Sequence, residues 1–441
     1  MGAPVAIATA LAALDADARG ADRLTALRRA AAARVREQGL PSIKLEDWKY
    51  TSLAALDQRA LRAAEPADGE SLSPESFAAL ALAAASPLRA VLVNGRFRPD
   101  LGSRDAPPPG VTLRSLRELA EQEPDRLASL LGEDAARGNA LVALNTALAR
   151  DGVLIDVAPG TRLHEPLHLV LIGTGGELMS NPRVLVRLGR DSELTLIEEY
   201  LSAGADLTVT NSQADIELEP GAVLHHHRLQ AAGADSTHLG RIAVRVDAQA
   251  EYASDALAFG ARLARVDIDV RLAGRGAKCR LNGLFVGAGE QHLDHHTRVD
   301  HLVGDTHSSE LYRGILDDRS RGVFNGKVVV ARDAQGITAQ QASHNLLLTR
   351  TAEVDTKPEL EIYADDVSCS HGATVGELDA TALFYLRSRG VPEAEARALL
   401  TYAFAERVVE AIPLPAVRHW IEQRFLGHTE LTQTLKAFNA P

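Results

Sequence analysis

The chain has 441 residues, a formal net charge of −12, 46% hydrophobic residues and only 4% aromatic ones, which is length enough for two or three domains. An acidic balance with no clustered basic surface argues against nucleic acid and anionic lipid as partners, and so few rings leave little to stack sugars or bases on. Two cysteines, Cys279 and Cys369, support neither a disulfide framework nor a multi-thiolate metal site from this chain alone, and point to a reducing compartment.

The N-terminal run Val5–Leu14 has no basic residue before it and is followed by Asp15 and Asp17, so it reads as a helix rather than an export signal. Position 6 is Ala, where a myristoylated start requires Ser or Thr. No apolar run approaches the roughly 20 residues of a membrane helix; Phe77–Ala85 stops at Ser86-Pro87. A soluble, cytoplasmic protein is expected.

Leu24, Leu27, Ala31 and Val35 are spaced for one buried helix face, stopped by Gly39 and Pro41. The segment Lys44-Leu45-Glu46-Asp47-Trp48-Lys49-Tyr50-Thr51 reads as a loop whose rings plug the core. Asn94-Gly95 sets a hairpin turn between short strands at Val91–Phe97. Leu113–Leu131 and Gly138–Ala149 return to helical spacing, giving a mainly helical N-terminal domain over residues 1–150.

From Val153 to Tyr363 the period falls to 2, as in Arg183–Leu188, Glu193–Ile197 and Val266–Val270. Turn positions recur at Gly189, Gly221, Asp247, Gly274 and Asp305, at spacings of 32, 26, 27 and 31. Such quasi-repeats predict a stacked-strand solenoid, with a large sandwich as the alternative. The core is assigned to residues 151–376. Helical spacing resumes over 377–441: Asp379 caps a helix ending at Gly390, Pro392 starts a second running through Val409, and a third spans about Ala416–Phe425.

Histidines cluster at His225-His226-His227 and at His292, His295, His296, His301 and His307. On a strand, His225 and His227 share a face, as do Asp294 and His296, which allows metal-ligand spacing; polar ladders of a solenoid are the simpler reading. No G-x-S-x-G nucleophile motif, P-loop or dinucleotide fingerprint is present, so no nucleotide is expected to bind this chain. The sharper constellation is Cys369 and His371, two apart after Asp365-Asp366 and before Gly372. In extended backbone they face one way, a thiolate and an imidazole suited to soft or borderline metals. Two ligands are too few for a closed site.

At these residues the sequence resembles the SufB/SufD family. The likeness runs through Gln340-Gln341-Ala342, Leu346-Leu347-Leu348, Asp355, Lys357-Pro358, Leu360-Glu361-Ile362, Asp365-Asp366-Val367, Cys369-Ser370-His371-Gly372-Ala373-Thr374-Val375-Gly376 and Leu383–Gly390. Pro41, Lys44, Glu46, Trp48–Thr51 and Gly322–Gly326 also match. The Cys-Ser-His-Gly-Ala-Thr form is similar to the SufD branch, the SufB branch having a Cys-Glu-His-Glu-Ala-Thr-like form.

The resemblance implies a mainly β fold, a right-handed parallel β-helix between N-terminal and C-terminal helical domains. It implies a non-catalytic scaffold of iron–sulfur cluster assembly that pairs with SufB through the β-helix and carries the SufC ATPase on its C-terminal helices. Sulfur comes from a cysteine desulfurase system, and some complexes of the family are associated with a flavin. His371 matches the histidine that joins a SufB cysteine in holding a transient Fe–S cluster and in iron acquisition, with Cys369 beside it; Phe384, Tyr385 and Phe404 are the candidate SufC anchors. An isolated homodimer is also compatible with the family, as is a homomer storing metal independently. The rival class is a solenoid polysaccharide-active enzyme, disfavoured by the missing export signal and scarce aromatics.

Overall fold

The computed structural model describes Leu11 and residues 22–57, 61–70, 72–80, 82, 86–103, 105–132, 139–204 and 208–428. Apart from Leu11, the Val5–Leu14 run lies outside the described residues.

The period-2 region winds as a parallel β-helix of two sheets, each strand crossing to the opposite sheet before its successor returns one coil further on. Sheet one stacks eight parallel strands, from Gly152–Val157 through Arg183–Leu188, Thr208–Leu218, Thr237–Val246, Leu263–Leu272, His292–His301 and Arg321–Val330 to Glu353–Ile362. Sheet two runs from Leu88–Val93 through Leu167–Thr174, Glu193–Ala203, Val223–Ala231, Glu251–Ala258, Lys278–Gly287, His307–Leu316 and Ile337–Leu347 to Val367–Gly376. The β-helix is therefore the solution adopted, and not the sandwich.

Alternation explains the winding. Leu194, Leu196, Leu224, Tyr252, Leu281, Tyr312 and Phe324 point inward and form one continuous luminal core. Many of sheet one's outward positions are charged and bridge neighbouring coils, as in Arg183–Asp215 (2.5 Å), Arg241–Asp269 (2.9 Å) and Lys327–Glu361 (2.6 Å), while Leu154, Leu185, Val209 and Leu239 pack in clusters with the N-terminal helices. Sheet two's outward face has an apolar strip instead, where Ile197, Leu229, Leu257 and Ile315 pack against Val408, Trp420, Ile421 and Phe425 of the C-terminal helices.

One corner is indexed by stacked left-handed residues: Gly160, Asp191, Gly221, Gln249, Gly276, Asp305 and Gly336 all have positive φ, between 56° and 75°. The amide of each donates to a carbonyl of the following coil, as Asp191 to Pro220 and Gly221 to Ala248. Glycine and Asp tolerate this conformation best, so the repeat is written in backbone geometry and only approximately in residue type.

The helices form as their caps direct. Arg23–Gln38 starts at Asp22, whose carboxylate accepts from the Thr25 amide (2.8 Å), and ends at Gly39 with φ 67°. Ala140–Leu148 is capped by Asn139, and Ala380–Ser388 by Asp379. Two further helices span Glu393–Val409 and Pro415–His428. Leu113–Ser115 differ from expectation: they belong to the strand Val111–Ser115, antiparallel to Gly152–Val157, and the helix begins at Leu116. At the same end, Arg96–Phe97 folds back antiparallel on Leu88–Val93 around Asn94-Gly95. Both sheets thus finish in a short reversed strand there.

Candidate functional site

The far end of the solenoid has no such closure. Glu353–Ile362 pairs only with Arg321–Val330, and Val367–Gly376 only with Ile337–Leu347, so two adjacent strands each present an unpaired edge among the described residues. No residue of Glu353–Ile362 is buried, and Ile362, Tyr363 and Val375 are 38%, 60% and 51% exposed. A Cβ added at Gly372 or Gly376 would meet nothing within 4 Å. An uncovered edge with apolar side chains beside it is a ready template for another chain.

Cys369 and His371 stand at this mouth. Their register partners are Ala339 and Gln341, and Cys369 packs against the luminal core, so both side chains take the inward positions of the last strand. Cys369 is half-buried and His371 exposed; burial raises the Cys369 thiol, partly offset by a hydrogen bond with the Ala339 backbone. Among the described residues no three His, Cys, Asp or Glu side chains are grouped to hold a metal ion. The mouth offers one sulfur and one nitrogen donor, leaving any bound metal to complete its coordination elsewhere.

The other cysteine shares the Cys369 column. Register carries it from Cys279 through Ser308 and Ala339 to Cys369. Cys279 is buried, its thiol pushed well up by that burial, and so behaves as a small apolar side chain.

The histidine clusters resolve into internal pairings. His226 lies 2.6 Å from Glu198 and 3.1 Å from the Tyr252 hydroxyl, inside the lumen. His227 lies 3.0 Å from Asp255 on the outward side, while His225 is half-buried. His296 stands 3.0 Å from Asp294, His292 2.9 Å from Thr51, and His301 bonds Thr306 and Ser308. His295 stacks on Phe285 at 5.0 Å, and burial lowers it to about 3.

The Lys44–Thr51 segment straps sheet one near the mouth. Trp48 is buried with the Arg265 guanidinium 3.8 Å over its ring, Thr51 donates to the buried Asp294 (2.5 Å), and Glu46 bonds Lys357 of the last coil (2.7 Å). Trp48 plugs a core as expected, whereas Tyr50 is only half-buried.

The three candidate anchors separate. Phe384 and Tyr385 are 71% and 56% exposed on Ala380–Ser388, a helix with no buried residue. Phe404 is half-buried against the cluster between sheet two and the C-terminal helices, with Arg313 4.7 Å over its ring. Spacing alone had no means of telling these environments apart. It also missed the exposed Ile362, Tyr363 and Val375, because an uncapped coil and a covered one share the same alternation.

Residues 171–404 match the SUF system FeS cluster assembly SufBD core domain, and residues 13–169 match the SufBD protein N-terminal region. A SufBD family iron–sulfur cluster assembly protein of Synechocystis is 32% identical over 396 residues, covering 87% of this chain and 86% of its own. The iron–sulfur cluster assembly protein SufD of Escherichia coli is 34% identical over 378 residues, 85% of this chain and 86% of its own. SufD of Bacillus subtilis is 27% identical over 327 residues, 70% and 72% of the two chains.

Proposed function

The chain belongs to the SufBD family of iron–sulfur cluster assembly proteins and is a SufD homologue; on that premise we propose that it is a non-catalytic, cytoplasmic scaffold subunit of a SUF assembly complex. It pairs with SufB through the open end of its solenoid and carries the SufC ATPase on its C-terminal helices. His371, with Cys369 beside it, contributes to holding a nascent cluster that passes through the complex as cargo.

The observation that carries this reading is the mouth itself. Two parallel strand edges lie side by side there with Ile362, Tyr363 and Val375 exposed between water and core. Backbone donors and acceptors along such edges are best satisfied by continuing the sheets, and the end of a second solenoid does that for both at once. Cys369 and His371 then sit at a seam between two chains, where the partner supplies the remaining ligands. Thiolate and imidazole are appropriate donors for iron in a cluster. Without that partner, the same edges favour self-pairing.

SufC supplies the driving motion in this scheme. Phe384 and Tyr385 give it apolar anchors on a helix that contributes little to its own domain. ATP-driven movement of docked ATPases would shift one solenoid against the other and alter access to the seam.

The test is co-production with SufB and SufC, purification through this chain, and measurement of bound subunits, iron and sulfide. His371→Ala is expected to lower cluster yield at least several-fold while the three subunits still co-purify. Unchanged yield in the assembled variant, or recovery of the native chain without a SufB-like or SufC-like partner, would refute the proposal.

A further inference from the structure

The column beneath His371 contains a carboxyl that has no counter-charge among the described residues. Register places Leu281, Glu310, Gln341 and His371 one above another on the inward face of sheet two. Two coils separate Glu310 from the mouth, roughly 10 Å at the usual strand spacing. Glu310 is 3% exposed, and its carboxylate accepts from Thr297 Oγ1 (2.5 Å) and Gln341 Nε2 (3.3 Å), both neutral donors. Gln341 is itself 3% exposed, and its Oε1 has no hydrogen-bond partner among the described residues.

The titratable groups facing Glu310 do not neutralise it. Cys279, Tyr252 and Tyr312 are buried and held protonated. His295 is neutral between Phe285 and Tyr312, and His301 is neutral between Thr306 and Ser308. Arg228, deeper in the lumen, is engaged with His238 (2.6 Å) and the Tyr200 ring. A buried carboxylate left unpaired in this way takes up a proton instead of staying charged. Burial accordingly raises Glu310 to about 7, against the pull of Thr297 and Gln341.

We infer that Glu310 is the counter-charge of the mouth: it is protonated while the mouth is empty and ionises when a cation is seated at Cys369 and His371, with Gln341 bridging the two levels. This rests on the reading of the mouth as an iron-binding seam. The step is balanced: the cation enters, the carboxyl O–H bond of Glu310 breaks, its proton leaves to solvent, and the carboxylate remains facing the new charge. A charge roughly 10 Å away in a buried setting changes the affinity for a divalent ion by ten- to a hundredfold at typical effective dielectric constants. Gln341 and Thr297 are positioning residues here, since neither is required to touch the metal.

The experiment measures ferrous-ion affinity of the assembled complex by anaerobic equilibrium dialysis between pH 6 and 8.5, for wild type, Glu310→Gln, Thr297→Val and His371→Ala. Wild type is expected to bind ten- to a hundredfold tighter than Glu310→Gln at pH 8.5, with the two moving toward convergence as pH falls and only about two- to tenfold apart at pH 6, because the seated cation itself lowers Glu310. Thr297→Val, which removes a donor to the carboxylate but keeps Glu310, moves that convergence to higher pH and serves if Glu310→Gln does not assemble. Difference infrared spectra at pH 7 should show a protonated-carboxyl band in wild type that vanishes on adding ferrous ion and is absent from Glu310→Gln. Curves for wild type and Glu310→Gln that stay parallel at every pH, with His371→Ala still weakening binding, would overturn the inference alone. An unaffected His371→Ala would overturn both it and the reading of the mouth.

Discussion

Replacing Phe384 and Tyr385 by Ala separates docking from folding. Both rings stand on a helix with no buried residue, with Phe384 71% exposed and Tyr385 56% exposed. Truncating them in the free chain removes little packing, and the Arg389 contact with Tyr385 (5.0 Å) is exposed, so unfolding free energy should change by about 0.5 kcal/mol or less per substitution. If SufC covers these rings, each buries a side chain worth about 1.5–3 kcal/mol, which is roughly 10- to 150-fold in Kd per ring. Phe404→Ala provides the contrast. Its half-buried ring packs in the cluster over sheet two under Arg313, so its loss should cost about 2 kcal/mol of stability, less than the 3–5 of a fully buried Phe. Calorimetric titration with SufC, paired with urea unfolding of each free variant, reads both quantities. A double variant Phe384→Ala/Tyr385→Ala that folds normally and binds SufC with wild-type affinity would refute the docking surface.

Acid should destabilise the chain in a defined window. Burial lowers His295 to about 3 and His301 to about 4, so below the ordinary value of 6.5 the unfolded chain binds protons that the folded one refuses, and each histidine loses about 1.4 kcal/mol per pH unit. Glu310, raised to about 7 from 4.5, acts oppositely and gains a similar amount as pH falls from 7 to 4.5. These three groups together give a loss of about 1.4 kcal/mol per unit between pH 6.5 and 4.5, to which the buried His238, also held well below the ordinary value, adds, and the slope is steeper in Glu310→Gln; a urea midpoint flat over that range would contradict it. Gly274→Ala should cost roughly 3 kcal/mol or more, because its Cβ would come within 2.0 Å of the Ala248 amide nitrogen. Gly372→Ala should leave the melting temperature of the isolated chain unchanged, since open space surrounds it; a clear loss there would mean the last coil is covered.

Much of the architecture was legible because alternation and caps are local signals. The strand Arg183–Leu188 has the same bounds in sequence and structure, and Gly39, Asp379 and Gly390 mark helix ends that the structure keeps. The repeat is visible but blurred: the indexing residues recur every 27–31 positions as left-handed backbone, and Gly189, Asp247 and Gly274 each lie two positions before one of them. Leu113–Ser115 were assigned to a helix because their strand exists only through its partner at Gly152–Val157. Cys369 and His371 share a face in the structure, as their spacing on an extended strand requires. Glu310 was silent, since a carboxyl on an alternating strand gives no hint that the opposite wall offers it only Thr297. Which helix rings face water depends on what packs beneath, and Phe384 and Phe404 look alike until that is known.

The two ends of the solenoid differ in a way that governs how large an assembly can grow. A rod with adhesive ends fore and aft polymerises, each addition exposing a fresh end. Here the strands Arg96–Phe97 and Val111–Ser115 run backwards across the first coils, so a further parallel coil finds no matching register there. Among the described residues it is the opposite end that offers parallel edges able to continue in register, and whatever docks there covers both of them. A molecule with a single such valence stops at two, whether its companion is a relative or a copy.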